Sequence, residues 1–404
     1  MAKPKIRFKG FTDDWEQRKL GEFTELKSAS RVHKDEWTDS GVPFFRSSDV
    51  MATINGTTNE KAYISKELYE KLSNVSGKLE EGDVLVTGGG SVGNPYIVQN
   101  SEPLYTKDAD LLWIKNQGRF HPYFLYEYFF SPTFRTYLSS ISHVGTIAHY
   151  TITQLSETPI CLPNIEEQIR VGEYFANLDH LITLHQRKCE ETKKLKKCML
   201  QKMFPQNGQT VPEIRFAGFT DAWEQRKLGD LYCKVSEKND LSFGTDKIIS
   251  VANMYFKEEV KDSSEEYMRT YNVMRLGDIA FEGNKSKNYA HGRFVENTIG
   301  DGIVSHVFDV FRPITEYDLY FWKYLINNED VMGRIMTRCT KASTMMTNLV
   351  ASDFLKEEIL VPSLNEQREI GKYLDHLDHL ITLHQHKCEQ LQNMKKYMLQ
   401  NMFV

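Results

Sequence analysis

The most regular pattern of hydrophobic and polar positions runs through residues 168–204 and returns at residues 367–403. In both segments apolar side chains recur in steps of three and four over more than three heptads, which predicts a helix in a coiled coil. His and Lys occupy matched positions on this stripe, where polar residues can fix register and partner. For both histidines we favour packing inside the helix pair over metal binding. We assign the partner-helix seam to Leu178, Ile182, His185, Cys189, Leu377, Ile381, His384 and Cys388.

The start of each predicted helix carries a capping signal. Asn164-Ile-Glu-Glu167 and Ser363-Leu-Asn-Glu366 both place Glu three residues after a short polar residue, as in a capping box. A helix over residues 168–204 spans roughly 55 Å. Since two related halves tend to pack about a two-fold axis, we expect antiparallel helices with one variable domain at each end.

The helices belong to a larger repeat. "GFTDDWEQRKLG" begins at Gly10 and "GFTDAWEQRKLG" begins at Gly218, whereas residues 24–161 and 232–360 share almost no sequence. This uneven divergence indicates a duplicated frame whose inserts changed separately. The predicted divisions are a first variable domain with its repeat motif (1–161), a first long helix (162–206), a linker with the second motif and variable domain (207–360), and a second long helix (361–404).

Both variable segments predict an α+β fold. Short β-like runs such as "DLLWIK" and "HVFDVF" alternate with turns, which favours a curved, mostly antiparallel sheet in each. An aromatic helix follows in each half, and Pro132 breaks the first one. We expect core positions for the aromatic side chains Tyr123, Phe124, Tyr126, Tyr128, Phe129, Tyr320, Phe321 and Tyr324.

The string "GGGSVG" contains a weak nucleotide-binding motif. Gly88, Gly90 and Gly93 fit GxGxxG after a strand-like run. However, Asn94-Pro95 and "YIV" predict a second strand, where a pyrophosphate site needs the N-terminus of a helix. A wide hairpin loop is therefore the favoured interpretation.

The matching loop of the second half, "EGNKSKNYAHG", is polar and basic. Such side chains on a projecting loop can reach base edges and phosphates, although a solvated turn is an equally good explanation of the loop alone. Residues 142–151 and 337–347 are also small, polar and weakly basic. Our candidate DNA-binding residues are Arg46, Ser47, Thr87, Ser91, Asn94, Tyr96, His143, Thr146, His149, Asn253, Tyr255, Asn284, Lys285, Ser286, Lys287, Asn288, His291, Arg338, Lys341 and Thr344.

Composition narrows the class of protein only slightly. The formal net charge of −5 mildly disfavours nucleic acid as a partner, but the distribution of charge matters more than its sum. The six cysteines form no CxxC pair and no zinc spacing, which predicts reduced thiols in a cytoplasmic protein. No apolar run approaches a membrane span, and the first residues lack a signal-peptide pattern.

Taken together, the arrangement resembles the specificity subunit of type I restriction–modification enzymes. The resemblance rests on "FTDDWEQRKLG" and "FTDAWEQRKLG", which open the variable segments, and on Pro-x-x-x-Glu-Gln before each long helix. It implies two pseudo-symmetric target recognition domains, separated by two antiparallel helices, that each read one half of a bipartite, asymmetric double-stranded DNA site. The helices would set the spacer and dock two methyltransferase subunits, and motor–nuclease subunits would complete the assembly.

The same resemblance implies that the chain itself is not catalytic and binds no cofactor or metal. S-adenosylmethionine is expected on the methyltransferase subunits, and ATP and Mg²⁺ on the motor–nuclease subunits. Two alternatives remain open: a stand-alone DNA methyltransferase or nuclease, and a coiled-coil adaptor that binds only protein. Against the first, Asn94-Pro95-Tyr96 lacks the second proline of a methyltransferase site, and no carboxylate–lysine cluster suggests a nuclease. The adaptor hypothesis predicts that the chain has no preference for particular DNA bases.

Overall fold

The computed structural model describes residues 3–107, 110–141, 149–206, 208–258, 264–287, 289–342 and 346–404. Its contacts divide the chain into two compact units, the first comprising Met1–His185 with His386–Val404 and the second Gln186–Gln385. Each unit therefore contains one variable segment together with part of both long helices. None of the described helices combines the length and the apolar character needed to span a bilayer.

The first unit contains a four-stranded antiparallel sheet in the order Leu26–Ser28, Leu111–Ile114, Val84–Thr87, Pro95–Ile97. A second sheet has the order Trp37–Thr38, Ala62–Ile64, Val42–Phe45, Tyr105–Thr106, with the last pair parallel. The α-helices are Leu20–Phe23, Ser47–Asn55, Lys66–Ser76, Pro122–Tyr128, Pro132–Ile141, Ile152–Ser156, the first part of Ile165–Lys202 and the last part of Leu364–Met402. The predicted break at Pro132 is confirmed, since a new helix begins there.

The second unit contains a four-stranded antiparallel sheet in the order Tyr232–Val235, Val310–Pro313, Ile279–Glu282, Arg293–Glu296. Smaller antiparallel pairs join Ile249–Ser250 to Tyr255–Phe256, Asn272–Met274 to Gly302–Val304, and Thr340–Ala342 to Thr347–Leu349. The α-helices are Leu228–Leu231, Glu265–Met268, Leu319–Ile326, Glu329–Cys339, Ala351–Phe354, the last part of Ile165–Lys202 and the first part of Leu364–Met402. The main sheets of the two units thus share one strand order although their sequences share almost nothing.

In each unit, a strand of the repeated opening motif pairs with a strand at the end of the variable segment. Strand Glu16–Lys19 pairs antiparallel with Pro159–Leu162, and strand Glu224–Lys227 pairs in the same way with Glu358–Val361. Each pair joins the repeated motif that precedes one variable segment to the end of that segment. The repeated sequences therefore contribute to the paired strands that frame each domain. The segments between these strands are inserts that begin and end next to each other.

Segments of the two long helices run antiparallel inside each unit. In the first unit the rings of Phe175 and Phe403 lie 5.9 Å apart, and Asp179 contacts Lys395. In the second unit Cys189 lies against the carbonyl of Ile381, and Lys196 contacts Asp378. As residue numbers rise along the first long helix, the numbers of the contacting residues on the second long helix fall. This order confirms the predicted antiparallel coiled coil.

Aromatic side chains fill the core of each unit. Phe124, Tyr128, Phe129 and Phe321 are almost fully buried, as predicted. Tyr320 differs, because it lies on the solvent side of its helix with 41% of its surface exposed. A stripe of aromatic residues in sequence therefore contained one position that the helical turn directs outward.

Candidate nucleic-acid interface

The frame of each unit is fastened by a buried arginine–glutamate–tryptophan contact. Arg7 donates two hydrogen bonds to the Glu167 carboxylate, at 2.6 and 2.7 Å, and the indole of Trp15 donates a third at 3.2 Å. The second unit repeats this arrangement. Arg215 bonds Glu366 at 2.6 and 2.7 Å, and Trp223 bonds it at 3.3 Å.

These contacts correct one part of the sequence interpretation. Asn164 does cap its helix, since its side chain accepts the backbone N–H of Glu167 at 2.9 Å, and Ser363 accepts that of Glu366 at 3.4 Å. The glutamate carboxylates, however, do not complete a capping box. They face the arginine of the opening motif instead, because a nearly buried carboxylate gains more from a bidentate guanidinium than from one backbone N–H.

The glutamine that follows each buried glutamate fixes the aromatic helix. The Gln168 side chain accepts the backbone N–H of His121, at 3.1 Å, and donates to the carbonyl of Pro163. In the second unit Gln367 does the same with Asp318, at 3.2 Å, and Pro362. His121 and Asp318 are the N-cap residues of helices Pro122–Tyr128 and Leu319–Ile326. The Glu-Gln pair of each motif thus joins a long helix to its variable domain.

The matched lysines of the helix pattern form ion pairs inside the units. In the first unit Lys395 donates to Asp179 at 2.7 Å and to Glu127 at 2.8 Å. Burial alone would lower the pKa of Lys395, but Glu127 and Asp179 outweigh it and raise that pKa. Burial also raises the pKa of Glu127 to about 8, because Lys395 offsets only part of the cost of charging a carboxyl there and Asp179 adds to that cost.

The second unit has a different partner set around its lysine. Lys196 donates to Asp378 at 2.5 Å, and its ammonium lies 4.9 Å from the ring centre of Tyr324. The Tyr324 hydroxyl donates to the other oxygen of Asp378 at 2.6 Å. Tyr324 therefore occupies the position that Glu127 has in the first unit. The ion pair between lysine and aspartate is present in both units.

The residues of the predicted helix seam differ in burial. Leu178, Ile182, Cys189 and Leu377 are buried, whereas His185, Ile381, His384 and Cys388 are half-buried. The assignment of His185 and His384 as packing partners remains a prediction. Among the described residues, no group of three His, Cys, Asp or Glu side chains is placed to hold a metal ion.

Residues 88–94 form a hairpin loop, which confirms the interpretation of "GGGSVG". Strands Val84–Thr87 and Pro95–Ile97 pair antiparallel on either side of it. The Thr87 hydroxyl accepts the Asn94 N–H at 2.8 Å and donates to the Ser91 carbonyl. Gly93 has a φ of +75°, and a Cβ there would lie 2.8 Å from Leu138 and 3.0 Å from Phe134. The loop is therefore closed internally and pressed against helix Pro132–Ile141.

Other candidate residues of the first unit lie beside this loop. The Ser47 hydroxyl donates to the carbonyl of Asp110 at 2.9 Å, and the N–H of Gly88 donates to the same carbonyl at 2.8 Å. The N–H of Tyr150, next to exposed His149, donates to the Gly88 carbonyl at 2.8 Å. The structure thus brings Ser47, the hairpin loop and His149 to one surface.

In the second unit, most of the candidate residues lie within residues 283–292 and on two segments attached to them. The Gly283 carbonyl accepts the N–H of Thr347 at 2.8 Å, which attaches the strand pair containing Lys341. Arg293 donates to the carbonyl of Ala252 at 2.6 Å, which attaches the turn containing Asn253 and Tyr255. The exposed candidate side chains on these loops are Asn253, Tyr255, Asn284, Lys285, Ser286, Lys287 and Lys341.

The remaining candidates have other surroundings. Thr87 is fully buried, so its hydroxyl shapes the loop and faces no solvent. Tyr96 is half-buried and packs its ring 4.6 Å from that of Phe45. Arg46 bonds Asp49 at 3.1 Å, and Arg338 bonds Glu357 at 2.9 Å, so both guanidinium groups already have acidic partners. Ser91 is exposed, and Asn94 and His291 are half-buried. The candidates outside the described residues are His143, Thr146, Asn288 and Thr344.

Sequence reasoning missed two arginines that contact these loops. Arg135 donates to Asn94 at 3.0 Å, and Arg293 donates to Glu282 at 2.8 Å. Arg293 directly follows the polar loop and was within reach of a sequence argument. Arg135 lies more than forty positions from Asn94 in the chain, a separation that no local pattern reveals.

The repeated frame and the shared sheet order together define a tandem-domain α+β protein with polar loops in each unit. The family described as "Type I restriction modification DNA specificity domain" matches residues 12–194 and again residues 220–393. These matches include most of the chain. The chain therefore belongs to the family of type I restriction–modification DNA specificity subunits, with two copies of the specificity domain.

Individual relatives agree with this membership. The specificity subunit of the type I restriction enzyme MjaVIII from Methanocaldococcus jannaschii is 23% identical over 411 residues, which cover 95% of this chain and 91% of that protein. A candidate specificity subunit of Haemophilus influenzae is 26% identical over 156 residues, only 38% of this chain and 37% of that relative. The crystal structure of a type I restriction–modification S subunit from M. genitalium has the same fold, with a TM-score of 0.58, 14% identity and coverage of 100% and 99%.

Proposed function

We propose that this chain is the non-catalytic reader of a bipartite, asymmetric DNA site in a type I restriction–modification complex. The observation that carries the proposal is the double match to the specificity domain, over residues 12–194 and 220–393. Each copy contains one variable segment enclosed by the repeated frame. Two readers in one chain require two half-sites, and unlike readers require unlike half-sites.

The chemistry of the two loop surfaces supports different half-sites. The first unit offers polar groups at Ser47, Ser91 and His149. The second offers the exposed lysines Lys285, Lys287 and Lys341. Lysine and asparagine side chains donate to guanine and adenine edges in the major groove, and serine accepts or donates at either. These candidate contacts belong to the proposal.

The partners follow from the same proposal. With a net charge of −5, the chain offers little general attraction for phosphates, so methyltransferase subunits docked on the long helices would supply much of that contact. Those subunits would carry S-adenosylmethionine, and motor–nuclease subunits would carry ATP and Mg²⁺. The isolated chain is then expected to bind DNA poorly and the assembled methyltransferase to bind it well.

The frame suggests the decisive experiment. Residues 24–158 are replaced by the corresponding insert of another specificity subunit, leaving strands Glu16–Lys19 and Pro159–Leu162 in place. Methylated sites are then mapped in cells that contain the methyltransferase partner. One half of the recognised sequence should change while the other half and the spacer stay. Methylation without any sequence preference, or a change in both halves, contradicts the proposal.

A further inference from the structure

We propose that Arg135 and Arg293 are the positioning residues of sequence reading, each holding the hairpin loop of its own unit in the shape that meets DNA. The inference deepens the proposed function and rests on it. Neither arginine needs to touch a base. Each acts through the loop whose polar atoms it binds.

Arg293 joins three segments of the second unit. Its Nε donates to Glu282 at 2.8 Å, and one terminal nitrogen donates to the Ala252 carbonyl at 2.6 Å. The guanidinium also lies 5.2 Å from the ring centre of Tyr289, inside the loop. One side chain thus fixes the turn with Asn253 against the loop with Lys285 and Lys287.

The acidic partner of Arg293 makes the arrangement stable. The Glu282 side chain is only 9% exposed, and its other oxygen accepts from Asn284 at 3.4 Å. A nearly buried carboxylate needs a charged partner, so the arginine is held in place by the cost of leaving Glu282 alone. Lysine could not replace it fully, because a single ammonium lacks the planar fork that reaches partners in two directions.

Arg135 performs the corresponding task in the first unit from a different element. It extends from helix Pro132–Ile141 and donates to the Asn94 side chain at 3.0 Å and to the Val92 carbonyl at 3.4 Å. Its guanidinium lies 5.6 Å from the ring centre of Phe130 and 5.7 Å from that of Phe134. Asn94 in turn donates to the Ser91 carbonyl at 2.8 Å, which passes the constraint to the loop tip.

A fixed loop matters because base reading depends on the position of donors and acceptors. A mobile side chain loses conformational entropy when it binds, which weakens binding. A displaced side chain no longer has the hydrogen-bond geometry that distinguishes one base from another. Since the contacts described for each arginine lie within its own unit, each is expected to affect the selectivity of one half-site. The other half-site then serves as an internal reference.

The test uses the assembled methyltransferase and a pool of DNA duplexes randomised in both half-sites at the natural spacer. Methylated duplexes are recovered and sequenced for the wild type and for Arg135→Gln, Arg293→Gln and Arg293→Lys. The matched controls are Arg119→Gln and Arg275→Gln. Arg119 bonds the Phe23 carbonyl, and Arg275 bonds Glu237 and Asp301; these described partners all lie outside the two hairpin loops.

We expect Arg293→Gln to lower base discrimination about tenfold in the half-site read by the second unit and to leave the other half-site unchanged. Arg135→Gln should give the reverse pattern, Arg293→Lys an intermediate loss, and the controls no loss. Equal loss in both halves, or full discrimination in active Arg135→Gln and Arg293→Gln complexes, overturns the inference. If even the wild-type complex selects no sequence, the proposed function itself fails, which is a separate outcome.

Discussion

Arg7 and Glu167 lie 160 positions apart in the chain and share two hydrogen bonds of 2.6 and 2.7 Å. Arg215 and Glu366 are joined at the same two distances in the second unit. This relationship explains why the opening motif and the helix start were both retained in each half. Each motif supplies one partner of a contact that neither could satisfy alone.

Loss of the Glu167 carboxylate should destabilise the first unit strongly. Glu167→Ala leaves the mostly buried Arg7 without its partner, and we expect a loss of about 3–5 kcal/mol in the free energy of unfolding. Glu366→Ala should do the same in the second unit. The measurement is chemical denaturation monitored by tryptophan fluorescence, because Trp15 and Trp223 bond the two carboxylates.

Glu166→Ala is the matched control, since Glu166 is exposed on the first turn of the same helix. Its effect should stay within about 0.5 kcal/mol. An equally small effect of Glu167→Ala would show that the buried pair does not hold the frame.

The glycines Gly172 and Gly371 should resist replacement by alanine. A Cβ at Gly172 would collide with the His121 imidazole, and one at Gly371 would collide with Asp318 and lie 2.6 Å from the Phe321 nitrogen. Alanine normally stabilises a helix by about 1 kcal/mol over glycine. Here we expect a net loss of about 1–3 kcal/mol from overpacking, measured by thermal unfolding.

Gly333→Ala provides the comparison within another helix. The nearest atoms to a Cβ at Gly333 belong to the end of the flexible Glu329 side chain, which can move aside. That variant should be neutral or slightly stabilising. Stabilisation by Gly172→Ala as well would contradict the close contact between the long helix and helix Pro122–Tyr128.

Glu127 should make the stability of the first unit depend on pH. Its pKa rises from the ordinary 4.5 to about 8 in the folded chain, chiefly through burial. Between those values the unfolded chain has released a proton that the folded chain retains, so stability falls as pH rises through this window.

The measurement is the unfolding midpoint of the wild type and of Glu127→Gln from pH 5 to about pH 8. The Gln variant should show a flatter profile, while Glu166→Gln should follow the wild type. A wild-type profile that rises with pH and keeps its slope in Glu127→Gln would exclude this assignment.

Lys285 and Lys287 should contribute to DNA binding by the assembled methyltransferase. If either touches bases, its replacement by Ala should weaken binding by about 1–3 kcal/mol; a phosphate contact would instead lower the salt dependence of binding by about one charge. Lys356→Ala, an exposed lysine elsewhere in the same unit, serves as the control. Unchanged affinity and salt dependence in the double variant would remove the loop from the interface.

Shortening both long helices should test whether they set the spacer. Deletion of residues 183–189 and 382–388 removes one heptad from each helix and preserves the seam pattern. The length lost is about 10 Å, or about three base pairs of DNA. Methylation mapping should then show a shorter spacer with the same half-sites, or no activity. Active protein with an unchanged spacer would contradict the idea.

The sequence revealed those parts of the fold that repeat or follow a short period. Leu178 and Leu377 could be placed on a helix seam because heptad spacing is local, and the hairpin at Gly93 could be recognised because Asn94-Pro95 excludes a helix. The common strand order of the two sheets could not be predicted, because the inserts share almost no sequence and strand pairing depends on distant partners. Glu167 shows the same limit: its local pattern indicated a cap, but its partner Arg7 is non-local.

For the candidate surfaces, sequence identified residue types better than their surroundings. Lys285 and Lys287 are exposed on a loop, as expected of residues flanked by polar neighbours. Thr87 was chosen on the same grounds but is fully buried, because it is the last residue of a strand whose side chains face two packed layers. Burial of a single polar residue beside a strand depends on packing that no local pattern contains.

The ring of Phe403 lies 5.3 Å from that of Phe124, in the core of the first unit. That unit is assembled from both extremes of the chain, whereas the second is one uninterrupted stretch, Gln186–Gln385. During synthesis, all segments of the second unit are therefore made before the last segment of the first unit. Although domains generally fold as units with the N-terminal one first, the first unit cannot complete its core until the residues around Phe403 are available. A chain that ends after residue 385 would therefore contain every segment of the second unit but lack the part of the first unit's core that Phe403 supplies.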